Sequence, residues 1–123
     1  MDDLNCINDT LGHVAGDKVI LATAERISTT VRGVDIVARI GGDEFVVVLR
    51  HVHSIDPAHR VSSEVHRKMA QAIMVDNTPV RATVSIGIAE AGPGENLEDL
   101  LARADDALYR AKAAGRGRTE VFT

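Results

Sequence analysis

Two glycines at positions 41 and 42 separate a pair of runs that both read as β-strands, and they restrict the fold more than any other feature of the 123 residues. Before them, Val34 to Ile40 alternates, with Ile36, Ala38 and Ile40 on one face and Asp35, Val37 and Arg39 on the other. After them, Phe45-Val46-Val47-Val48-Leu49 is short, apolar and β-branched, as a buried strand is. A glycine pair between strands predicts a tight hairpin, because glycine accepts the positive φ angles that such turns use. Asp43 and Glu44 follow directly, so two carboxylates sit together at the tip. On a rigid turn they repel each other unless a cation lies between them. Hard oxygen ligands favour Mg²⁺, Mg²⁺ usually arrives with phosphates, and glycine lets a backbone come close to a bulky anion. The stretch reads either as a metal-assisted phosphate site or as a solvated β-turn.

Around the hairpin the chain alternates between helical and extended patterns, with no repeat and no low-complexity tract. Leu4 to Asp9 reads as a short helix ending near Gly12. Asp17 reads as an N-cap, followed by Ile20, Ala24, Ile27 and Val31 at helical spacing. Asp56-Pro57 starts another helix, with Val61, Val65, Met69, Ala72 and Ile73 as its apolar stripe. Turn-rich Asp76-Asn77-Thr78-Pro79 leads into a strand from about Val80 to Ala89. In it, Val84, Ile86 and Ile88 face one way, and Thr83, Ser85 and Gly87 are small enough on the other for a helix to pack closely. Asn96 caps the last long helix, lined by Leu97, Leu100, Leu101, Ala104, Leu108 and Ala111. Gly115 and Gly117 stop it, and Glu120-Val121-Phe122 is a short final strand. This order predicts an α+β fold, a sheet covered by helices.

Composition narrows the function classes. Apolar residues at 45% and charged residues at 26% are those of a soluble globular protein, long enough for one domain over 1–123. Aromatics at 2% leave a core of Val, Ile, Leu and Ala, and argue against a stacking platform for nucleic acid. A net charge of −4 supplies no broad basic field for DNA or membranes. The lone Cys6 suits a reducing cytoplasm, and no apolar run is long enough to span a membrane. The five histidines show no zinc-ligand pattern and read as surface, with His13 structural.

Several separate motifs occur in one order. They are Ile7-Asn8-Asp9-Thr10-Leu11-Gly12-His13 with Gly16-Asp17, Arg32-Gly33-Val34-Asp35, and the hairpin itself. Thr83-Val84-Ser85-Ile86-Gly87-Ile88-Ala89 follows, then Ala104-Asp105-Asp106-Ala107-Leu108-Tyr109-Arg110-Ala111-Lys112 with Gly115-Arg116. In these the chain resembles the GGDEF family of diguanylate cyclases nearly end to end. The resemblance implies a mostly antiparallel central sheet, akin to nucleotidyl cyclase and polymerase palm domains. It implies a bacterial signalling enzyme that condenses two GTP molecules into cyclic di-GMP with release of pyrophosphate. It also implies a cytoplasmic homodimer, a sensor domain in the parent protein, and Mg²⁺ or Mn²⁺ as cofactor.

The resemblance assigns roles residue by residue. Asn8 and Asp17 would hydrogen-bond the guanine base; without the family, Asp17 is an N-cap and Asn8 a turn residue. Gly41 and Gly42 would lie against the nucleotide, and Asp43 and Glu44 would hold metal, with Asp43 a candidate to activate the attacking hydroxyl. Lys112 and Arg116 would bind the triphosphate, or else simply complement the negative helix C-terminus. Arg32 and Asp35, ahead of Gly41 by the family's spacing, match an inhibitory product site, with Arg60 a second contributor. The competing expectation is a non-catalytic receptor for cyclic di-GMP that uses the same Arg32/Asp35 site.

One departure bears on activity. On the family pattern Met1 falls at an aliphatic position and Asp2 at a second aspartate, so the first aspartate, a family metal ligand, would precede Met1. Leu4 and Asn5 replace a phenylalanine and a lysine, and Gly117 stands where asparagine is common. The expectation is a domain lacking its N-terminal helix and first central strand, weak or inactive alone. Asp2 and Asp3 are the nearby substitutes, and strand alternation puts neither in register.

Overall fold

Ile73 to Val80, which the helical pattern assigns partly to a helix end and partly to a turn, folds as a small β-hairpin. In the computed structural model, which describes residues 1–123, β3 (Ile73–Val75) pairs antiparallel with β4 (Thr78–Val80). Asp76 and Asn77 between them both take left-handed φ, 48° and 67°, as a two-residue turn matched to strand twist requires. Short polar side chains tolerate that conformation, which is why Asp-Asn rather than Gly-Gly suffices.

The other elements are α1 (Leu4–Leu11), α2 (His13–Ser28), β1 (Ile36–Gly41), β2 (Glu44–Val48), α3 (Asp56–Met69), β5 (Ile86–Ile88), α4 (Leu97–Ala113) and β6 (Thr119–Val121). Helices and small sheets are mixed, as an α+β fold predicts. β1–β2 and β3–β4 are antiparallel, and β5–β6 is parallel. The strand expected from Val80 to Ala89 is therefore two short strands, with residues 81–85 outside any ladder. Two compact units result, Met1–Thr83 and Val84–Thr123.

In the first unit, Val19, Ile20 and Ile27 of α2 and Val65 and Met69 of α3 are buried. Thr23 is fully buried too, and its hydroxyl donates to the Val19 carbonyl at 2.8 Å, which satisfies it without a partner from outside the helix. The ends of α2 and α3 cap each other. The Arg26 guanidinium donates to the carbonyls of Lys68, Gln71 and Ala72 at 2.8, 2.8 and 3.3 Å. Lys68 Nζ returns bonds to the hydroxyls of Thr29 and Thr30 at 3.1 and 2.8 Å. Two cations thus serve two helix C-termini, where the dipole favours positive charge. Asp2 is buried as well: its amide donates to the Thr83 carbonyl at 2.9 Å and its carboxylate accepts from the Thr83 hydroxyl at 2.7 Å.

In the second unit, α4 lies directly on β5 through Gly87. A Cβ there would fall 2.2 Å from the Ala104 carbonyl oxygen and 2.4 Å from the Leu108 nitrogen. The close approach expected of this strand's small face is carried by that one residue. Ala107 and Ala111, one turn apart on α4, are fully buried, whereas Leu97, expected on the apolar stripe, is exposed. Asn96 caps α4 as predicted, accepting from the Asp99 amide at 2.8 Å. Arg103 and Arg110 stack on the Phe122 ring, 5.4 and 5.6 Å from its centre.

Candidate active site

The hairpin forms where the glycine pair and its flanking runs predict it, with Ile36 opposite Val48 and Gly41 opposite Glu44. Two expectations about it need correction. The register shifts between Arg39 and Gly41, so Ile40 is an unpaired bulge and does not continue the Ile36–Ala38 face. Neither Gly41 nor Gly42 takes a left-handed φ, although the turn is only Gly42-Asp43; the bulge beside it accompanies this departure from a twist-matched two-residue turn. Nor does protein packing demand them, since a Cβ at either would meet nothing within 4 Å. The backbone at the tip is left bare to anything outside the chain.

The tip is held from behind. Arg39 Nη2 donates to the Gly42 carbonyl at 2.9 Å, and its Nε lies 3.2 Å from the carbonyls of Gly41 and Gly42. The Met1 nitrogen donates to the Asp43 carbonyl at 2.7 Å. These bonds use backbone carbonyls only. The carboxylates of Asp43, half-buried, and Glu44, exposed, make no hydrogen bond or ion pair within the protein.

Asn8 and Asp17 come together through α1 and α2. Asp17 is not the N-cap: α2 starts at His13 after Gly12, whose φ of 93° only glycine takes readily, so Asp17 sits one turn inside the helix. Its carboxylate is exposed and unpartnered. The Asn8 side chain rests on Gly16, the residue before Asp17, where a Cβ would fall 1.8 Å from Asn8 Oδ1. The Asn8 amide also has no protein partner.

Lys112 lies in the last turn of α4 and its ammonium is unpaired. Arg116 follows in a left-handed bend, φ 62°, between Gly115 at 123° and Gly117 at 58°. Gly115 N–H bonds the Lys112 carbonyl and Arg116 N–H bonds the Ala111 carbonyl, a Schellman closure of the helix. The glycine stop predicted here thus sets where both cations emerge.

Arg32 and Asp35 are paired with each other. The Asp35 side chain is 1% exposed. One of its oxygens accepts from Arg32 N and Nε at 2.9 and 3.2 Å, and the other from Arg32 Nη2 and Arg50 N at 3.0 and 3.1 Å. The Arg32 guanidinium beside it, helped by the two backbone amides against partial desolvation, lowers the Asp35 carboxyl from 3.8 to about 2. Arg32 Nη2 also donates to the Arg50 carbonyl at 2.5 Å, so the pair ties the start of β1 to the second residue after β2. An open cavity of about 400 Å³ adjoins the pair, with Thr30, Leu49, Arg60 and Glu64 on its walls. The structure therefore places Arg60 with Arg32 and Asp35, and adds Glu64, which the sequence pattern did not single out.

No three His, Cys, Asp or Glu side chains gather as a metal cluster. Asp2 is engaged with Thr83, and Asp3 precedes α1 in a left-handed conformation with an exposed side chain. Asp43 and Glu44 are the adjacent carboxylates that could hold a cation. Two hard carboxylate oxygens with no internal counter-charge fit Mg²⁺ or Mn²⁺, since Mg²⁺ commonly takes one or two carboxylates and completes its shell with water and substrate phosphate. Of the histidines, His66 is not simple surface: it is half-buried, and burial lowers its pKa despite the nearby Asp2 carboxylate.

Comparison with known proteins supplies the family. Residues 1–118 match the family described as diguanylate cyclase, GGDEF domain. A probable diguanylate cyclase of Escherichia coli, DgcC, is 39% identical over 98% of this chain and 33% of its own length. The isolated GGDEF domain of TpbB (YfiN) from Pseudomonas aeruginosa superposes with a TM-score of 0.94 at 38% identity, covering 99% of this chain and 72% of that one. The GGDEF domain of DgcB from Caulobacter crescentus, solved in complex with c-di-GMP, gives 0.88 at 32% identity, over 98% and 72%. The chain spans 20% to 33% of the length of the first curated relatives it matches. No helix is long and apolar enough to cross a membrane. The chain belongs to the GGDEF family of diguanylate cyclase domains.

Proposed function

We propose that residues 1–123 act as one cytoplasmic domain that condenses two GTP molecules into cyclic di-GMP, paired with a second copy and governed by a sensor domain of the parent protein. The observation that carries this reading is the bare hairpin tip, with two glycines that neither φ nor packing requires and two unneutralised carboxylates beside them. A phosphate chain gives both a purpose.

Asn8, half-buried, and Asp17, exposed, both unpartnered, read the guanine base; the Asp17 carboxylate accepts from N1–H and the exocyclic amine, which adenine lacks in that pattern. Gly41 and Gly42 let the phosphates lie against the backbone. Asp43 and Glu44 would hold the divalent cation, which neutralises phosphate charge when bound. Lys112 and Arg116 bind the outer phosphates and stabilise the pyrophosphate as it leaves. The 3′-hydroxyl of one GTP attacks the α-phosphate of the other, forming a phosphodiester and breaking the α–β bond. Asp43 takes the hydroxyl proton. The second ester forms in the same way, so two pyrophosphates leave. Positioning and charge account for the catalysis, and a symmetric pair of domains is required to bring two nucleotides together.

Arg32, Asp35 and Arg60 would bind the product as an inhibitor. Two cations and two carboxylates around one cavity suit a ligand with both phosphates and base donors. Because all four acceptor positions of Asp35 are filled, product binding requires one of its present bonds to open. The same cavity carries a second reading, a receptor that binds cyclic di-GMP at Arg32 and Asp35 without making it.

Incubation with GTP and Mg²⁺ and analysis for cyclic di-GMP, beside a titration with cyclic di-GMP, separates the two. Turnover lost in Glu44→Gln establishes the cyclase. Absence of turnover, with product binding lost in Arg32→Ala, establishes the receptor. Neither turnover nor binding would overturn both.

A further inference from the structure

We infer that Gly16 is a positioning residue: its missing side chain fixes the Asn8 amide in the orientation that reads the base. This rests on the proposed role of Asn8 and Asp17. Gly16 lies inside α2 with no left-handed φ, so helix geometry does not ask for glycine there. Glycine inside a helix is in fact unfavourable relative to alanine. The reason for it is found across the helix pair. A Cβ at Gly16 would lie 1.8 Å from Asn8 Oδ1 and 3.0 Å from Asn8 Cγ, whereas Leu4 Cδ1 at 3.5 Å is an ordinary contact. No backbone atom stands within 4 Å among the three nearest neighbours.

The conflict is therefore with the movable end of one side chain and not with the packing of α1 on α2. An alanine would leave the helices in place and push the amide away. This contrasts with Gly87, where the opposing atoms are backbone.

With Oδ1 leaning on Gly16, the NH₂ end lies farther from a Cβ there than the Leu4 contact. That end is an obligate donor with no partner in the protein. Asp17, the next residue, supplies the complementary acceptor. Gly16 thus sets a donor and an acceptor side by side, and the pair discriminates guanine by hydrogen-bond pattern.

The test uses the 123-residue chain with GTP and ATP as probes. Wild type, Gly16→Ala, Asn8→Ala and the double variant are compared by calorimetric binding, thermal unfolding and the NMR signal of the Asn8 side-chain NH₂. The expected result for Gly16→Ala is an unfolding midpoint near wild type, a displaced Asn8 NH₂ signal without ligand, and GTP binding weakened about tenfold, the loss of one directed hydrogen bond. In the Asn8→Ala background the same substitution should have no further effect. Removing the amide also removes the clash, so the double variant folds even if the single one does not. Equal weakening with and without Asn8, or an unmoved NH₂ signal, would overturn the inference while leaving the GTP reading intact. A wild type indifferent to GTP would overturn that reading itself, while a displaced NH₂ signal would still support the positional half of the inference.

Discussion

Asp35 concentrates local order in one charge, because its buried carboxylate ends four hydrogen bonds and joins the two ends of a hairpin. Its folded pKa, about 2, lies below the ordinary 3.8. Its stabilising effect is therefore complete above about pH 4 and disappears as pH falls through about 2. Acid unfolding of Asp35→Asn should start from lower stability at neutral pH and converge with wild type near pH 2; parallel curves would contradict this. Gly41 makes the opposite case. With nothing near a built Cβ and no special φ, Gly41→Ala should change stability by less than about 0.5 kcal/mol by urea unfolding. It should nonetheless lower GTP binding, because the methyl group projects into the space the phosphates need. At this scale the motif residues were legible in the sequence, whereas their states were not. That Asp17 is exposed inside a helix, that Asp2 is buried, and that Arg32 closes on Asp35 all depend on neighbours that no local pattern names.

Among the elements, α4 and β5 depend on each other through a contact with no room in it. Gly87→Ala sets a methyl group against the backbone at Ala104 and Leu108, which cannot yield as a side chain can. The expected loss is about 3 kcal/mol, at the upper end for overpacking, read as a fall in the urea midpoint with unchanged slope. Loss of a few tenths would mean that α4 slides freely. The sequence announced this contact, as it announced the Asn96 cap, the glycine stop at Gly115 and the hairpin at Gly41-Gly42. Each is written in a few adjacent residues. The β3–β4 hairpin was missed because Ile73 also completes a helical stripe from Val61, and one residue cannot show which period it serves. The Ile40 bulge was missed because register belongs to two strands at once.

For the whole molecule, the proposed reaction needs two nucleotides carried by two domains. Specific turnover should therefore rise with protein concentration below the dimer dissociation constant, and level off above it. Removal of divalent metal by EDTA should abolish turnover and leave thermal unfolding unchanged, since no fold contact runs through Asp43 or Glu44 side chains. A constant specific activity on dilution would exclude the paired arrangement. By itself the sequence determined the family, the order of the helices and of the Gly41-Gly42 hairpin, and the motif residues, because periodicity, caps and turn glycines act within a few positions. Only the tertiary structure decided that Gly16 is a spacer between packed elements and that Gly41 and Gly42 leave a surface bare. It alone joined Asp2 to Thr83 across 81 positions. The physical reason is that steric room and carboxylate pairing are properties of contacts between distant segments, and a linear pattern encodes those contacts only through the fold they make together.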